Sequence, residues 1–249
     1  MLTNNPIILS VQQRPYFYEP ELNAQGSSLT LSEATSKHCI QVLRMQPGDE
    51  IQLTDGQGLL VTAVITLAHK KHSQVRVLDR DLQPAADSRV AIAIAPTKNI
   101  GRIEWALEKL TEIGVSEIIL MKTERTERTA IKTERIQQIL ISAMLQSRQV
   151  HLPLLKGLIP FKTVLADYQG FSHKWVAHLL DQGNKKTLSP AREKESHIIL
   201  IGPEGDFSAA EIDLALAPEY QFEPVTLGKT RLRTETAGLV AGVLLKIEI

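Results

Sequence analysis

The chain has 249 residues, 43% of them hydrophobic and 22% charged, which is enough for one large or two modest domains with an apolar core. Lysine and arginine together number 28, as do aspartate and glutamate, so a binder that holds nucleic acid by overall charge is disfavoured while local basic patches stay open. The single Cys39 excludes an intramolecular disulfide and a cysteine-rich metal site. No apolar run reaches the length of a membrane span, and MLTNNPIILSVQQR lacks the pattern of a secretory signal. The expectation is a cytoplasmic protein with no membrane partner.

Residues from Arg14 to about Leu82 read as one unit. Tyr16–Tyr18, Ser28–Leu31, Glu50–Leu53, Leu59–Leu67 and Gln74–Leu78 are strand candidates, rich in β-branched and aromatic residues and separated by turn residues such as Asp55-Gly56-Gln57-Gly58. Ser32 and Glu33 open one helix, which carries His38, Ile40, Val42 and Leu43 and is closed by Arg44 and Met45 before Pro47-Gly48. Several short strands with one helix predict a small β-barrel. Its expected span is 1–83, with 1–13 as an N-terminal extension. The tract His69-Lys70-Lys71-His72 is one candidate phosphate contact.

Gln83 to Ser88 reads as a linker, and 84–249 as a second domain. Arg89–Ala95 is a buried strand. An amphipathic helix follows over Ile100–Ile113, with Ile103, Leu107, Leu110 and Ile113 on one face, and Gly114 ends it. Glu117–Met121 is the next strand, a helix runs from about Lys132 to Gln149, and Trp175–Leu180 is a further strand. Strands alternating with helices predict a mainly parallel α/β sheet. The mixed-charge tract Lys122–Arg135 reads mostly as a solvated loop and helix start, with Arg125 and Arg128 as candidate RNA contacts.

The C-terminal part repeats strand, glycine turn, helix. His197–Ile201 is a short apolar strand that stops at Gly202-Pro203-Glu204-Gly205, a turn whose glycines supply positive φ. Ser208 and Glu211 form a capping box for the next helix. A strand over Pro224–Leu227 ends at Gly228, and Thr234 and Glu235 open a last helix over Thr236–Ile247. Two glycine-bearing loops leaving parallel strand ends are where ligands sit in α/β sheets. Neither loop is a phosphate cradle of the G-x-x-x-x-G-K-[ST] or G-x-G-x-x-G kind.

IGPEGDFSAAEI followed by LGKTRLRTETA resembles the C-terminal signature of the small-subunit (16S) ribosomal RNA uracil-N3 methyltransferases, members of the SPOUT class. SKHCIQVLRMQPGDEIQLTDGQG is similar to the N-terminal domain of the same family, and PTK, WALEKLTEIGVSEI and TERTERT to its central phrases. Two departures stand out. Thr230 and Arg231 occupy places where the family usually has an arginine and an aliphatic residue, and Leu145 replaces a glutamate. The resemblance implies a PUA-like β-barrel that holds RNA, with His38 and Arg44 at the matching positions. It also implies an α/β domain tied in a trefoil knot, a homodimer, and the small ribosomal subunit as partner.

It further implies S-adenosylmethionine as cofactor, against Ile201, Gly202, Pro203, Glu204 and Gly205 and against Leu227 and Gly228 through Leu232, with Leu179 near the adenosine. Methylation at uracil N3 needs an in-line methyl, exclusion of water and help with the N3 proton. For that help, Arg233 offers a fixed cation, and Glu235 or Glu204 a base. No metal is expected: the seven histidines are scattered, and neither H-x-x-x-H nor C-x-x-C occurs. Two alternatives stay open: an RNA methyltransferase of the same class acting on a ribose hydroxyl or another base, and a non-catalytic RNA-binding ribosome-assembly protein.

Overall fold

The structure, a computed structural model, describes residues 14–22, 25–128, 130–179, 185–188, 190–192 and 194–246. The N-terminal extension, the expected strand end at Leu180 with the turn after it, and the helix end at Ile247 lie outside the described residues. The chain divides into two compact units between Gln83 and Pro84.

The first unit contains β1 (Tyr16–Tyr18), β2 (Ser28–Thr30), β3 (Glu50–Thr54), β4 (Leu59–Leu67) and β5 (Gln74–Leu82) in one sheet of order β1-β3-β4-β5-β2. Alternation along β3 and β4 turns Ile51, Leu53, Val61, Ala63 and Ile65 inward, where they pack with Phe17, Leu31 and Val75 into one core. Among the described residues, the end strands β1 and β2 do not pair with each other. The expected single helix is two pieces: α1 (Glu33–Lys37), capped by Ser32 Oγ accepting from the Thr35 N–H, and a π-helical turn over His38–Val42. Burial of Cys39 in that turn pushes its thiol up to about 11, so this cysteine is inert packing.

The second unit is a seven-stranded sheet of order β10-β12-β9-β11-β6-β7-β8, parallel throughout, as the alternation of strands and helices predicts. Its strands are β6 (Arg89–Ile94), β7 (Glu117–Lys122), β8 (Leu154–Pro160), β9 (His173–Ala177), β10 (Lys186–Thr187), β11 (Ser196–Ile201) and β12 (Glu223–Thr226). Its helices are α2 (Ile100–Ile113), α3 (Thr133–Gln146), α4 (Phe161–Asp167), α5 (Ala209–Leu216) and α6 (Thr234–Lys246). Helix α3 stops short of the expected Gln149 because Arg148 takes a left-handed conformation, φ 60°.

The period of two along β6 separates two cores. Val90, Ile92 and Ile94 face one side with Leu107 and Leu110 of α2, Leu140 of α3 and Ala241 and Leu245 of α6. Ala91 and Ala93 face the other with Phe161 and Leu165 of α4 and Ile212 of α5. The result is three layers, helix–sheet–helix. The last helix is apolar on several faces because its glycines lie against the core. A Cβ on Gly238 would stand 2.8 Å from Ile94 Cδ1, and one on Gly242 2.6 Å from Leu110 Cδ2. Its burial is thus explained within the chain. Among the described residues, no helix is long and apolar enough to cross a membrane.

Candidate active site

In-register pairing puts Ala177, Ile201 and Val225 side by side, so β9, β11 and β12 end together. The three loops leaving these carboxyl ends enclose a cavity of about 450 Å³, in the range of small-molecule sites. Its wall combines the chain after β9, the Gly202–Asp206 turn and the run Leu227–Thr234. The sequence-assigned residues Leu179, Ile201, Gly202, Pro203, Glu204, Leu227, Gly228 and Leu232 all line it, as does Arg233. Gly205 does not.

The Gly202–Phe207 turn is built differently from the expectation. Positive φ falls on Asp206 (61°) rather than on Gly202 or Gly205. Aspartate tolerates the left-handed region because its short carboxylate bonds locally, and here Oδ1 accepts from the Phe207 N–H at 2.8 Å while Oδ2 accepts from the Leu179 N–H at 2.8 Å. One side chain thereby fixes two of the three loops. Gly202 leaves little room: a Cβ there would lie 3.2 Å from the Phe207 ring, which would have to shift slightly. Gly228, at φ 138°, is the glycine that does use its conformational freedom. The capping box is present, with Ser208 Oγ accepting from the Glu211 N–H at 3.3 Å and the Glu211 carboxylate accepting from the Ser208 N–H at 3.0 Å.

The arginines reserved for RNA are turned inward in part. Arg125 Nη1 donates to the Gly205 carbonyl at 2.7 Å, and Arg128 Nη2 to the Lys98 carbonyl at 2.6 Å. The Lys98 N–H in turn donates to Glu204 at 3.2 Å. These contacts join the loop after β6 to the turn after β11. In the first unit His38 and Arg44 are exposed, His38 edge-on to Phe17, and Arg44 adopts φ 56°. Glu235 is buried in the first turn of α6, outside the cavity wall, with Oε1 3.8 Å from Arg102 Nε.

Two features escaped the sequence reading. The cavity also takes in His178, Lys185 and Asp206. His178 is 6% exposed, and among the described residues neither of its buried ring nitrogens has a hydrogen-bond partner. Burial holds its pKa below the ordinary 6.5, with the Lys185 ammonium adding to the effect and Asp206 opposing it. The second feature is a cluster of His173, Glu195 and His197, with ligand atoms within 4.8 Å of one another, brought together by neighbouring β9 and β11 rather than by local spacing. Trp175 Nε1 donates to His197 Nδ1 at 3.1 Å, which assigns the proton of the neutral ring to Nε2, facing Glu195 at 3.3 Å. Trp175, His197 and Glu195 are thus joined in a row, with His173 Nε2 3.7 Å from the Glu195 carboxylate.

A parallel α/β sheet with a loop-built ligand cavity at its strand ends, joined to a small β unit, defines the class. Residues 84–246 match the family model for the RNA methyltransferase domain, and residues 31–78 that for the RNA methyltransferase PUA domain. The chain belongs to this RNA methyltransferase family. It is 30% identical to the ribosomal RNA small subunit methyltransferase E of Mesomycoplasma hyopneumoniae, covering 86% of this chain and 92% of that one. Among solved structures, a probable rRNA-methyltransferase from Porphyromonas gingivalis is 43% identical with a TM-score of 0.81, covering 92% of this chain and 95% of that one. The ribosomal RNA small subunit methyltransferase E of Neisseria gonorrhoeae, solved bound to S-adenosyl methionine, is 29% identical with a TM-score of 0.80, covering 93% and 96%.

Proposed function

We propose that this protein is an S-adenosylmethionine-dependent methyltransferase that forms N3-methyluridine in 16S ribosomal RNA, acting as a homodimer on the small subunit. The observation that carries the reading is the family's domain pair together with a cavity at the ends of β9, β11 and β12. The residues present fit the cofactor. The wall offers apolar Leu179, Leu227 and Leu232, suited to an adenine face, beside charged and polar residues that line the same space. Bound there, the cofactor supplies an electrophilic methyl group on a sulfonium.

The chain's own residues do the rest. Asp206 fixes the β9 and β11 loops, and Gly202 admits the close approach of Phe207. Arg233, exposed at the cavity wall just before α6, presents a permanent cation that favours the N3 anion of uracil over its protonated form. Glu235, turned to Arg102, acts through the placement of α6 rather than as the base. Exposed His38 and Arg44 hold RNA through the first unit. Arg125 and Arg128 stiffen the loops beside the cavity and offer their remaining donors to phosphate.

The test offers isotopically labelled S-adenosylmethionine and the purified protein to small subunits and to naked 16S RNA, both from cells lacking the corresponding enzyme. Nucleoside analysis then identifies the product. Label in N3-methyluridine is the expected result. Label in a 2′-O-methylated nucleoside would keep the class and overturn the specificity, and no label without cofactor binding would favour a non-catalytic RNA-binding protein.

A further inference from the structure

A capping box uses one oxygen of its carboxylate, which accepts from the N-cap amide. In α5 that oxygen is Oε2 of Glu211, taking the Ser208 N–H at 3.0 Å. The other oxygen is also engaged. Glu211 Oε1 accepts from the Glu124 N–H at 2.7 Å, across 87 residues of sequence. Helix α5 needs no such bond for its cap, so the second contact serves the partner.

Glu124 lies in the turn Thr123–Thr126 that follows β7. Buried Thr123 and Thr126 close this turn on itself. The Thr126 N–H donates to the Thr123 carbonyl at 3.2 Å, the Thr123 N–H to Thr126 Oγ1 at 2.9 Å, and the two hydroxyls meet at 2.8 Å. The corner residues Glu124 and Arg125 are exposed, and each is tied to the β11 side. Beside the Glu124–Glu211 bond, Arg125 Nη1 donates to the Gly205 carbonyl at 2.7 Å and to the Phe207 carbonyl at 3.4 Å. The turn after β11 is held independently, because Asp206 fastens it to the Leu179 and Phe207 amides. The ties therefore orient the β7 turn rather than the cofactor turn, and Glu211 itself stands outside the cavity wall. A guanidinium carries more N–H donors than two carbonyls use. Pinned in this way, Arg125 keeps the rest for a phosphate, in one direction.

Resting on the proposed function, in which Arg125 meets RNA, we infer that Glu211 is a positioning residue for the RNA substrate: its second oxygen holds the β7 turn so that Arg125 presents its remaining donors in one orientation.

The experiment follows steady-state methyl transfer by the full chain at saturating S-adenosylmethionine, with small subunits from cells lacking the enzyme as the varied substrate. Calorimetric cofactor affinity and Tm are read beside it. Glu211→Ala is expected to raise the KM for subunits about tenfold, with kcat and cofactor affinity unchanged. Its Tm falls because the cap is lost too, and two further variants separate cap from tie. Ser208→Ala removes the hydroxyl half of the cap but keeps both amide bonds to the Glu211 carboxylate; it should lower Tm and leave KM alone. Glu124→Pro removes the N–H donor at a turn position that suits proline and spares the cap. It should raise KM as Glu211→Ala does, at wild-type Tm, whereas Glu124→Ala, which keeps the N–H, should not. Arg125→Ala should raise KM by itself, and adding Glu211→Ala to it should change KM little further, since the two act as one unit. Unchanged KM in Glu124→Pro, an equal rise in Ser208→Ala, or full additivity with Arg125→Ala would each overturn the inference. Lost cofactor affinity in Glu211→Ala would also overturn it, by moving the role to the cofactor turn. Wild type that transfers no label to small subunits or to naked RNA would overturn the parent function itself, a result no variant imitates.

Discussion

The two ends of the same parallel strands treat buried polar groups in opposite ways. At the amino ends of β7, β9 and β11 the groups close on one another. Glu117 accepts a hydrogen bond from the Tyr168 hydroxyl and pairs with Lys156 at 3.2 Å and Arg89 at 3.5 Å, while the indole of Trp175 bonds His197, which faces Glu195. At the carboxyl ends the buried ring nitrogens of His178 have no hydrogen-bond partner among the described residues, Arg233 stands exposed, and three loops enclose a cavity. A histidine satisfied by its neighbours contributes to holding the sheet together. A histidine left unsatisfied costs stability. Burial alone does not separate the two, since His178 and His197 are both buried and both held below the ordinary histidine range.

Breaking the closed end gives the largest effect. Glu117→Ala strands the buried Tyr168 hydroxyl and removes the counter-charge of Lys156, and is expected to cost about 3 kcal/mol in denaturant unfolding, with cofactor affinity of the folded fraction unchanged. The open end gives the inverse pattern. Arg233→Ala should lower methyl transfer about a hundredfold while leaving Tm and cofactor affinity at wild-type values, read by single-turnover kinetics beside calorimetry. Lost cofactor binding in that variant would reassign the arginine to the ligand. Smaller again is Trp175→Phe, which keeps most of the ring and leaves His197 Nδ1 without its donor. It should cost about 1–2 kcal/mol in stability and nothing in turnover; a loss of turnover with stability intact would break the contrast between the two ends.

Much of the second unit was legible in the sequence, because its signals are local. Helix α2 begins at Asn99, whose side chain caps Gly101, and ends at Gly114 in the left-handed region; both ends are written into single residues. The capping box of α5 was equally readable. Strand β8 and helix α4 were not anticipated, since Leu154–Pro160 alternates only weakly and α4 is short and lacks a side-chain N-cap bond. In the first unit a helical period ran through His38–Val42 as it did through Glu33–Lys37, so nothing marked the passage into a π-helical turn. The cavity loops were found through their glycines, yet the residue that takes positive φ in the β11 loop is Asp206, whose role depends on the Leu179 amide of another loop. His178 and the His173–Glu195–His197 cluster are products of strand register, and register between β9 and β11 has no signature within either strand.

The smallest effect tests the contrast by titration. For His178 and His197 the folded-state pKa lies below the ordinary 6.5, chiefly through burial. An unfolded chain, whose histidines titrate near the ordinary value, therefore binds more protons than the folded one between that value and the depressed ones. Stability must rise with pH across this window, be fully present above it, and be lost as pH falls through it. Thermal unfolding followed from neutral to mildly acidic pH should show this loss in the free wild type. His178→Leu should flatten part of it, because one of the two depressed groups is gone. The part that remains belongs to His197, whose partners Trp175 and Glu195 stay in place in that variant. An equal acid loss in wild type and His178→Leu would move the dependence off this histidine and onto some other group.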